Sequence, residues 1–283
     1  MSPPAALASG SAPRRDWPKH LFILAVVAVE LLPLYMMFQV SFKTNATFIQ
    51  NPWLPTHPST WQWDNWLFGL KLIGPYIANT VFVAVCGTVG TLGLAILGAY
   101  FFARYKMPFS GLLWSAFLLL MLLPGVANIV PLFMLLRDLG LLNSLWALIV
   151  VGIAGGQVFN IFVLRNFIED LPKDLFEAAE MDGASHLQQI RTVVLPLAAP
   201  IIGTLAILSF LQLWNEFLLP LIILRDKELF TLGVGLIYLD GEYVKNWGQI
   251  MAAYFVAAVP LIVIFLFTMR LFVKGLSAGA IKG

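Results

Sequence analysis

The sequence predicts an all-α membrane protein with six membrane-spanning helices and no large soluble domain. Three observations carry this. Hydrophobic residues make up 60% of the 283 and charged residues only 11%, with a mean hydropathy of +0.86, a composition foreign to ordinary water-soluble domains. Apolar stretches run at about 21–41, 80–102, 110–136, 145–164, 197–224 and 250–273, each long enough to cross roughly 30 Å of hydrocarbon as a helix. They are apolar on every face, whereas a barrel strand alternates apolar and polar over about ten residues.

In chain order, residues 1–19 are rich in Pro, Ala and Ser and read as a disordered tail. Arg14 and Arg15 precede an apolar run too long for a cleaved signal, with no small-residue cleavage site after it. The loop at 42–79 holds Trp53, Trp61, Trp63 and Trp66, whose amphipathic rings suit the headgroup layer, and residues 64–74 suit a short helix along that surface. In the second span Gly87, Gly90, Gly93 and Gly98 permit close helix approach. Pro124 and Pro131 are expected to kink the third span. Cys86 stands alone, which excludes an internal disulfide, and reads as a small buried residue.

Charge placement sets orientation. Arg14, Arg15, Lys19, Arg104, Lys106, Arg165, Lys173, Arg191, Arg270, Lys274 and Lys282 fall on one face, and Lys43, Lys71, Arg137, Arg225, Lys227 and Lys245 on the other. That asymmetry places both termini in the cytoplasm. A net charge of +2 gives no sign of a nucleic-acid partner.

Of the acidic residues only Glu30 and Glu216 lie within spans, where an unrelieved carboxylate costs roughly 2.5–3.5 kcal/mol. Both are expected to face the bundle interior. Gln212 and Glu216 share a helical face, with Trp214 and Asn215 pointing elsewhere. This cluster suits a polar transport path, or equally interhelical hydrogen bonds that fix packing. Glu30 has no polar companion nearby in sequence and suits a pairing with another subunit. No Lys or Arg sits centrally in any span, which favours a neutral solute over an anion. His20, His57 and His186 lie outside the spans, so no catalytic or metal-binding constellation is evident there, and no G-x-x-x-x-G-K-[ST] loop is present to cradle nucleotide. An ion-coupled secondary transporter using Glu30 and Glu216 remains an alternative on these grounds.

The inner loop after the fourth span is the most informative segment. Pro172 suits a helix start, Lys173–Met181 a short helix, Asp182-Gly183 a turn, and Ser185-His186-Leu187-Gln188 a capping box opening a second helix. Leu175, Phe176 and Ala179 form an apolar face, and Glu177 and Glu180 carry charge. Such a helix fits either a groove on a soluble protein or the membrane surface.

Glu177-Ala178-Ala179, Gly183, Val193 and Leu195-Pro196, at these spacings, resemble the EAA motif of ABC importer permeases, with Val193 where isoleucine is usual. Asn79-Thr80, AYFFARY at 99–105, Trp214-Asn215-Glu216-Phe217 and the terminal GLSAGAIKG extend the likeness to the carbohydrate-uptake permeases of maltose type, specifically the smaller six-span subunit. Glu216 stands where that family more often has aspartate.

The resemblance implies a type I ABC importer transmembrane domain, with a homologous second permease chain, two cytoplasmic ATPase subunits and an extracytoplasmic sugar-binding protein as partners. It implies no catalytic residue and no cofactor in this chain, ATP and Mg being held by the ATPases. It also implies that Glu177 anchors the motif helix in the ATPase, that Gly183 sets its angle, and that Ala178, Ala179 and Asp182 adjoin the contact. Tyr238, Asp240, Gly241 and Tyr243, in the outer loop at 225–249, would reach the binding protein; from the residues alone this is equally a flexible solvent loop. The expected organisation is a tail at 1–19, a transmembrane domain at 20–274 with its coupling loop at 171–196, and a tail at 275–283. The expected solute is a neutral di- or oligosaccharide, with glycerol phosphate or another polyol as the alternative within the family.

Overall fold

The computed structural model describes residues 17–105, 108–122, 125–242 and 246–280. Among these the secondary structure is helical throughout. The helices are α1 (Trp17–Ser41), α2 (Asn45–Gln50), α3 (Trp63–Arg104), α4 (Ser110–Leu122), α5 (Ile129–Asp138), α6 (Leu145–Glu169), α7 (Lys173–Met181), α8 (His186–Gln189), α9 (Leu195–Trp214), α10 (Leu218–Ile223), α11 (Leu232–Glu242) and α12 (Trp247–Ala280). Five helical stretches are long and apolar enough to cross a membrane, and α4 is a shorter apolar helix. This is the multi-pass helical architecture that the composition implies, with several differences in how the spans are divided.

The expected surface helix at 64–74 is instead the beginning of α3, a continuous helix of 42 residues and so about 63 Å long, twice the hydrocarbon thickness. The reason is a close approach. A Cβ on Gly69 would stand 2.9 Å from the backbone nitrogen of Ala253, so the first turns of α3 lie directly against α12. Pro75 lies inside α3 without ending it. The carbonyl four residues before it, which loses its donor, belongs to exposed Lys71.

The expected third span, 110–136, is two helices. A 3-10 turn at Gly125–Asn128 separates α4 from α5. Pro131 falls in the first turn of α5, where its missing N–H leaves no intrahelical bond unmade, so it marks a helix start and not a kink. Pro124 lies outside the described residues. The expected fifth span, 197–224, is also divided. It begins with α8, passes through a π-helical turn at Ile190–Val194 into α9, ends at Trp214, and resumes as α10 after a break at 215–217.

Helix α3 is the hub, touching α6, α9, α11 and α12. Small residues make this possible, as the absence of a hydrophobic drive in lipid requires. A Cβ at Gly87 of α3 or Gly152 of α6 would overlap the Leu213 side chain of α9, and one at Gly90 would overlap Ile153. Gly98 meets Ile161 more loosely, and Gly93 faces open space. The expectation of close packing therefore holds for three of the four glycines. Cys86 is half-buried beside the cluster of Val83, Leu148 and Phe230.

Helix α1 behaves differently. Its buried residues are Gln39, Val40 and Ser41, all in its last turn. Glu30 is exposed, contrary to the expectation that it faces the bundle interior, because the part of α1 carrying it packs on no other described element closely enough to be covered. Beyond α1, Phe42 is buried and stacks on Trp61 at 4.3 Å, and Trp66 packs on Phe42 and Phe255. Trp53 and Trp63 stay exposed. Lys43 does not face solvent. It is buried, and its Nζ donates to the carbonyls of Asn51 at 2.7 Å and Leu54 at 2.8 Å. Burial lowers its pKa from 10.5.

Candidate functional site

The α7 loop is built on one buried side chain. Phe176 is fully buried in a cluster with Tyr100, Ile168, Ile190 and Val194, and the Arg104 guanidinium lies 4.0 Å above its ring, a cation–π arrangement. With that anchor inward, the rest of α7 is presented outward: Glu177, Ala178 and Glu180 are exposed, Ala179 is half-buried, and Met181 is 89% exposed. Leu175, expected on the apolar face, is exposed.

The turn after α7 forms as the Asp182-Gly183 pair predicts. Gly183 takes φ +78°, its amide donates to the Glu180 carbonyl at 3.0 Å, and the Ala184 amide donates to Ala179 at 2.9 Å. These are the two bonds of a Schellman ending, which only a residue tolerant of the left-handed region closes without strain. Asp182 is exposed beside it. The predicted capping box then starts α8, with the Ser185 amide donating to Gln188 Oε1 at 2.7 Å.

A group of side chains that the motif reading overlooked ties this loop to α3. Tyr100 and Gln189 are each 1% exposed, and the Tyr100 hydroxyl donates to Gln189 Oε1 at 2.8 Å. Gln189 Nε2 donates back to the Ala184 carbonyl at 3.3 Å. The Tyr105 hydroxyl lies 2.9 Å from His186 Nδ1, with Phe101 packed on the same imidazole. The available signal was the AYFFARY segment, in which Tyr100 and Arg104 share one helical face.

The second feature is a cavity of about 440 Å³ between α3, α5, α6 and the α9–α10 break. Gln212 and Glu216 line it together with Thr80 and Thr231, and Gly155 leaves open space on the α6 wall. Trp214 and Asn215 do not line it. Trp214 is buried against Ile73 and Ala253, and Asn215, just past the end of α9, turns its Nδ2 back to the Leu211 carbonyl at 2.8 Å. The sequence expectation of one continuous helical face is corrected in its cause, because Glu216 stands in the break. It reaches the cavity while one carboxylate oxygen accepts the Leu219 amide of α10 at 3.2 Å.

The third is the segment at 225–249, which holds helix α11 and is not an open loop. Leu232, Val234 and Leu239 are buried, and Tyr238 is exposed with its ring 4.7 Å from Phe230. Asn143, at φ 57°, accepts the Arg225 amide at 2.9 Å and the Asp226 amide at 3.1 Å on Oδ1. Asn79 Nδ2 donates to the Glu228 and Phe230 carbonyls at 2.8 and 3.0 Å, and Thr80 Oγ1 accepts the Leu232 amide at 2.8 Å. Asp240 and Gly241 lie in α11. Tyr243 lies outside the described residues.

Among known families, the one described as "Binding-protein-dependent transport system inner membrane component" matches residues 92–278, which spans α7 and its turn. The chain belongs to this family. As a member of it, the chain is an ABC transporter permease subunit, a membrane component and not an enzyme. Relatives agree along nearly the full length. The diacetylchitobiose uptake system permease protein DasC of Streptomyces coelicolor is 32% identical over 271 residues, 95% of this chain and 98% of that one. The trehalose transport system permease protein SugB of Mycobacterium tuberculosis is 34% identical over 262 residues, 91% and 94% of the two chains. A solved bacterial ABC transporter involved in import of the acidic polysaccharide alginate contains a chain with the same fold, at TM-score 0.77, 24% identity and coverage of 93% of this permease and 99% of that chain.

Proposed function

We propose that this permease subunit carries a neutral di- or oligosaccharide inward across the cytoplasmic membrane, driven by ATP hydrolysis on partner chains. The observation that carries the reading is the geometry of α7: one aromatic anchors it inward while Glu177, Ala178 and Met181 stand exposed at the tip of a loop that runs straight into α9. A helix held from behind and bare in front suits a groove on a soluble partner. The partner is a cytoplasmic ATPase with ATP and Mg, present in two copies, in which Glu177 pairs with a basic residue, Ala178, Ala179 and Asp182 adjoin it, and Gly183 sets the angle. Closure of the ATPases moves the docked loop and α9 behind it, and the spans alternate between inward-open and outward-open. Both termini lie on the ATPase side.

The sugar class rests on the relatives' diacetylchitobiose and trehalose substrates and on the cavity chemistry. Gln212 and Glu216 offer hydrogen-bonding groups, and no Lys or Arg is among the described residues lining the cavity, which suits hydroxyls better than phosphate and weighs against a glycerol-phosphate cargo. A homologous second permease closes the cavity and covers α1 and Glu30, and an extracytoplasmic binding protein delivers the sugar to the α11 side, where Tyr238, Asp240, Gly241 and Tyr243 meet it. Glu30, exposed and far in sequence from any cavity-lining residue, gives the ion-coupled alternative no support. The test is uptake of radiolabelled trehalose and diacetylchitobiose by vesicles carrying the co-purified complex. ATP-dependent uptake that needs the binding protein is expected; uptake by this chain alone under a proton gradient would contradict the proposal.

A further inference from the structure

A docked loop moves the transporter only through what it is fastened to. The chain itself fastens it to α9, through α8 and the π-helical turn, a type of irregularity frequent where helices must give. A second fastening is non-covalent and leads to a different helix. Tyr100, Arg104 and Tyr105, at the end of α3, hold Gln189, Phe176 and His186 respectively, one contact to α7 and two to α8. The Tyr100–Gln189 bond is buried on both sides, so water cannot replace it if it breaks, and Gln189 also grips the carbonyl of Ala184 just past the Gly183 turn.

Helix α3 runs unbroken from there to Asn79 and Thr80, about 30 Å away along its axis. There, part-way along its length, it holds the 228–232 segment leading into α11 through three hydrogen bonds to main-chain atoms. One continuous helix thus has two catches, one at its C-terminal end on the loop that meets the ATPase and one near its middle on the segment that faces the binding protein.

We propose that Tyr100 and Gln189 are positioning residues that make the end of α3 travel with the coupling loop, so that α3 carries the loop's displacement across the membrane to the α11 segment. The proposal rests on the ATPase-docking reading above and adds the route. Two discrete arrangements of a rigid element are what such coupling requires, and a single continuous helix fastened at Tyr100 and at Asn79–Thr80 supplies the element.

The test uses the full complex with its partner permease, ATPases and binding protein, in a Cys86→Ala background carrying Leu97→Cys on α3 and Leu187→Cys on α8, both exposed. Spin-label distances between them are measured without nucleotide and with ATP and vanadate. With the catch intact the distance distribution stays the same in both states; with Tyr100→Phe or Gln189→Leu it shifts on trapping. Uptake per ATP hydrolysed falls about tenfold in either variant, while ATP hydrolysis continues. The double variant is no worse than Gln189→Leu alone, because that single already loses the Tyr100–Gln189 bond together with the bond to the Ala184 carbonyl. A distance that changes with nucleotide in the intact complex, or one that never changes in the variants, overturns the proposal. A second measurement avoids any folding defect. Tyr105→Cys with His186→Cys in the Cys86→Ala background, joined by a short bis-methanethiosulfonate whose two ends each form a disulfide with release of methanesulfinate, should leave uptake intact and restore it in the Tyr100→Phe background. A link that stops uptake would show that α3 and the loop move apart, and overturn it. Failure here with Glu177→Lys still inactive removes the α3 route alone; an active Glu177→Lys removes the docking reading itself.

Discussion

The α7 loop and the α11 segment are both polar connections between spans, yet they treat their own surfaces in opposite ways. The α11 segment is fastened to its own chain: Asn79, Thr80 and Asn143 satisfy five of its main-chain groups, and Leu232, Val234 and Leu239 are buried beneath it. The α7 loop is attached through Phe176 at the helix and through His186 and Gln189 behind it, and leaves Glu177, Ala178, Met181 and Asp182 without cover. Exposed apolar surface beside charge, held on a stiff base, is what a protein offers to another protein. A segment sewn down along its length offers only its remaining face. The two therefore predict different responses to substitution: changes at the α7 tip should strike function without touching stability, and changes under either segment should do the reverse.

The largest effect should come from Glu177→Lys and Gly183→Pro. The first reverses the charge at the tip, and the second puts at φ +78° a residue confined to negative φ. Both should abolish ATP-driven uptake while membrane insertion is kept; Glu177→Lys should unfold thermally in detergent as the unmodified protein does, whereas Gly183→Pro should lower the thermal midpoint, because it also loses the amide that donates to the Glu180 carbonyl. Normal uptake in both would erase the distinction between the two segments.

Phe176→Ala comes next and should be mainly structural. Removing a fully buried aromatic costs about 3–5 kcal/mol in packed cores, and Arg104 would lose its ring. The thermal midpoint should drop by several degrees, and uptake should fall with it. Asn143→Ala should be milder, at about 0.5–1.5 kcal/mol, because the Arg225 and Asp226 amides lose their acceptor at an exposed site where water takes its place. Amide exchange should quicken at 223–232 and stay unchanged at 173–189; quickening at both would contradict the separate fastening of the two segments.

The smallest effect concerns Lys43. Its pKa is lowered by burial, so between that lowered value and 10.5 the unfolded chain binds more protons than the folded one, and stability rises with pH across that window. Below it the penalty for burying the ammonium is felt in full. Comparison of thermal midpoints at about pH 8 and pH 10 should show this rise in the unmodified protein and none in Lys43→Met.

Much of this was legible in the chain. Composition and run length gave the helical membrane class, because lipid leaves the backbone few other options. The helix bounds Lys173–Met181, the turn at Gly183 and the box at Ser185–Gln188 were readable because they are local: propensity, a positive φ and reciprocal capping act within a few residues. The misreadings were all tertiary. Nothing near residue 64 shows that Gly69 meets Ala253, which keeps α3 whole. Pro131 looks the same in a helix middle as in a first turn. Lys43 was counted only for the side of the membrane it lies on, and nothing near it in sequence shows that carbonyls of its own loop enclose it. Gln212 and Glu216 were rightly placed together, but the helix break that turns Glu216 toward the cavity leaves no sequence mark beyond the family-like WNEF. Tyr100, Gln189 and His186 were present in recognisable segments, and only the fold brings them into contact.

The central claim, that the bare tip of α7 is covered by an ATPase, is tested most directly by a photocrosslinking residue at Met181, 89% exposed, in the assembled transporter in its native membrane. The account predicts an adduct with the cytoplasmic ATPase, lost in the Glu177→Lys background. Adducts with phospholipid alone, in the presence and absence of ATP, would contradict it.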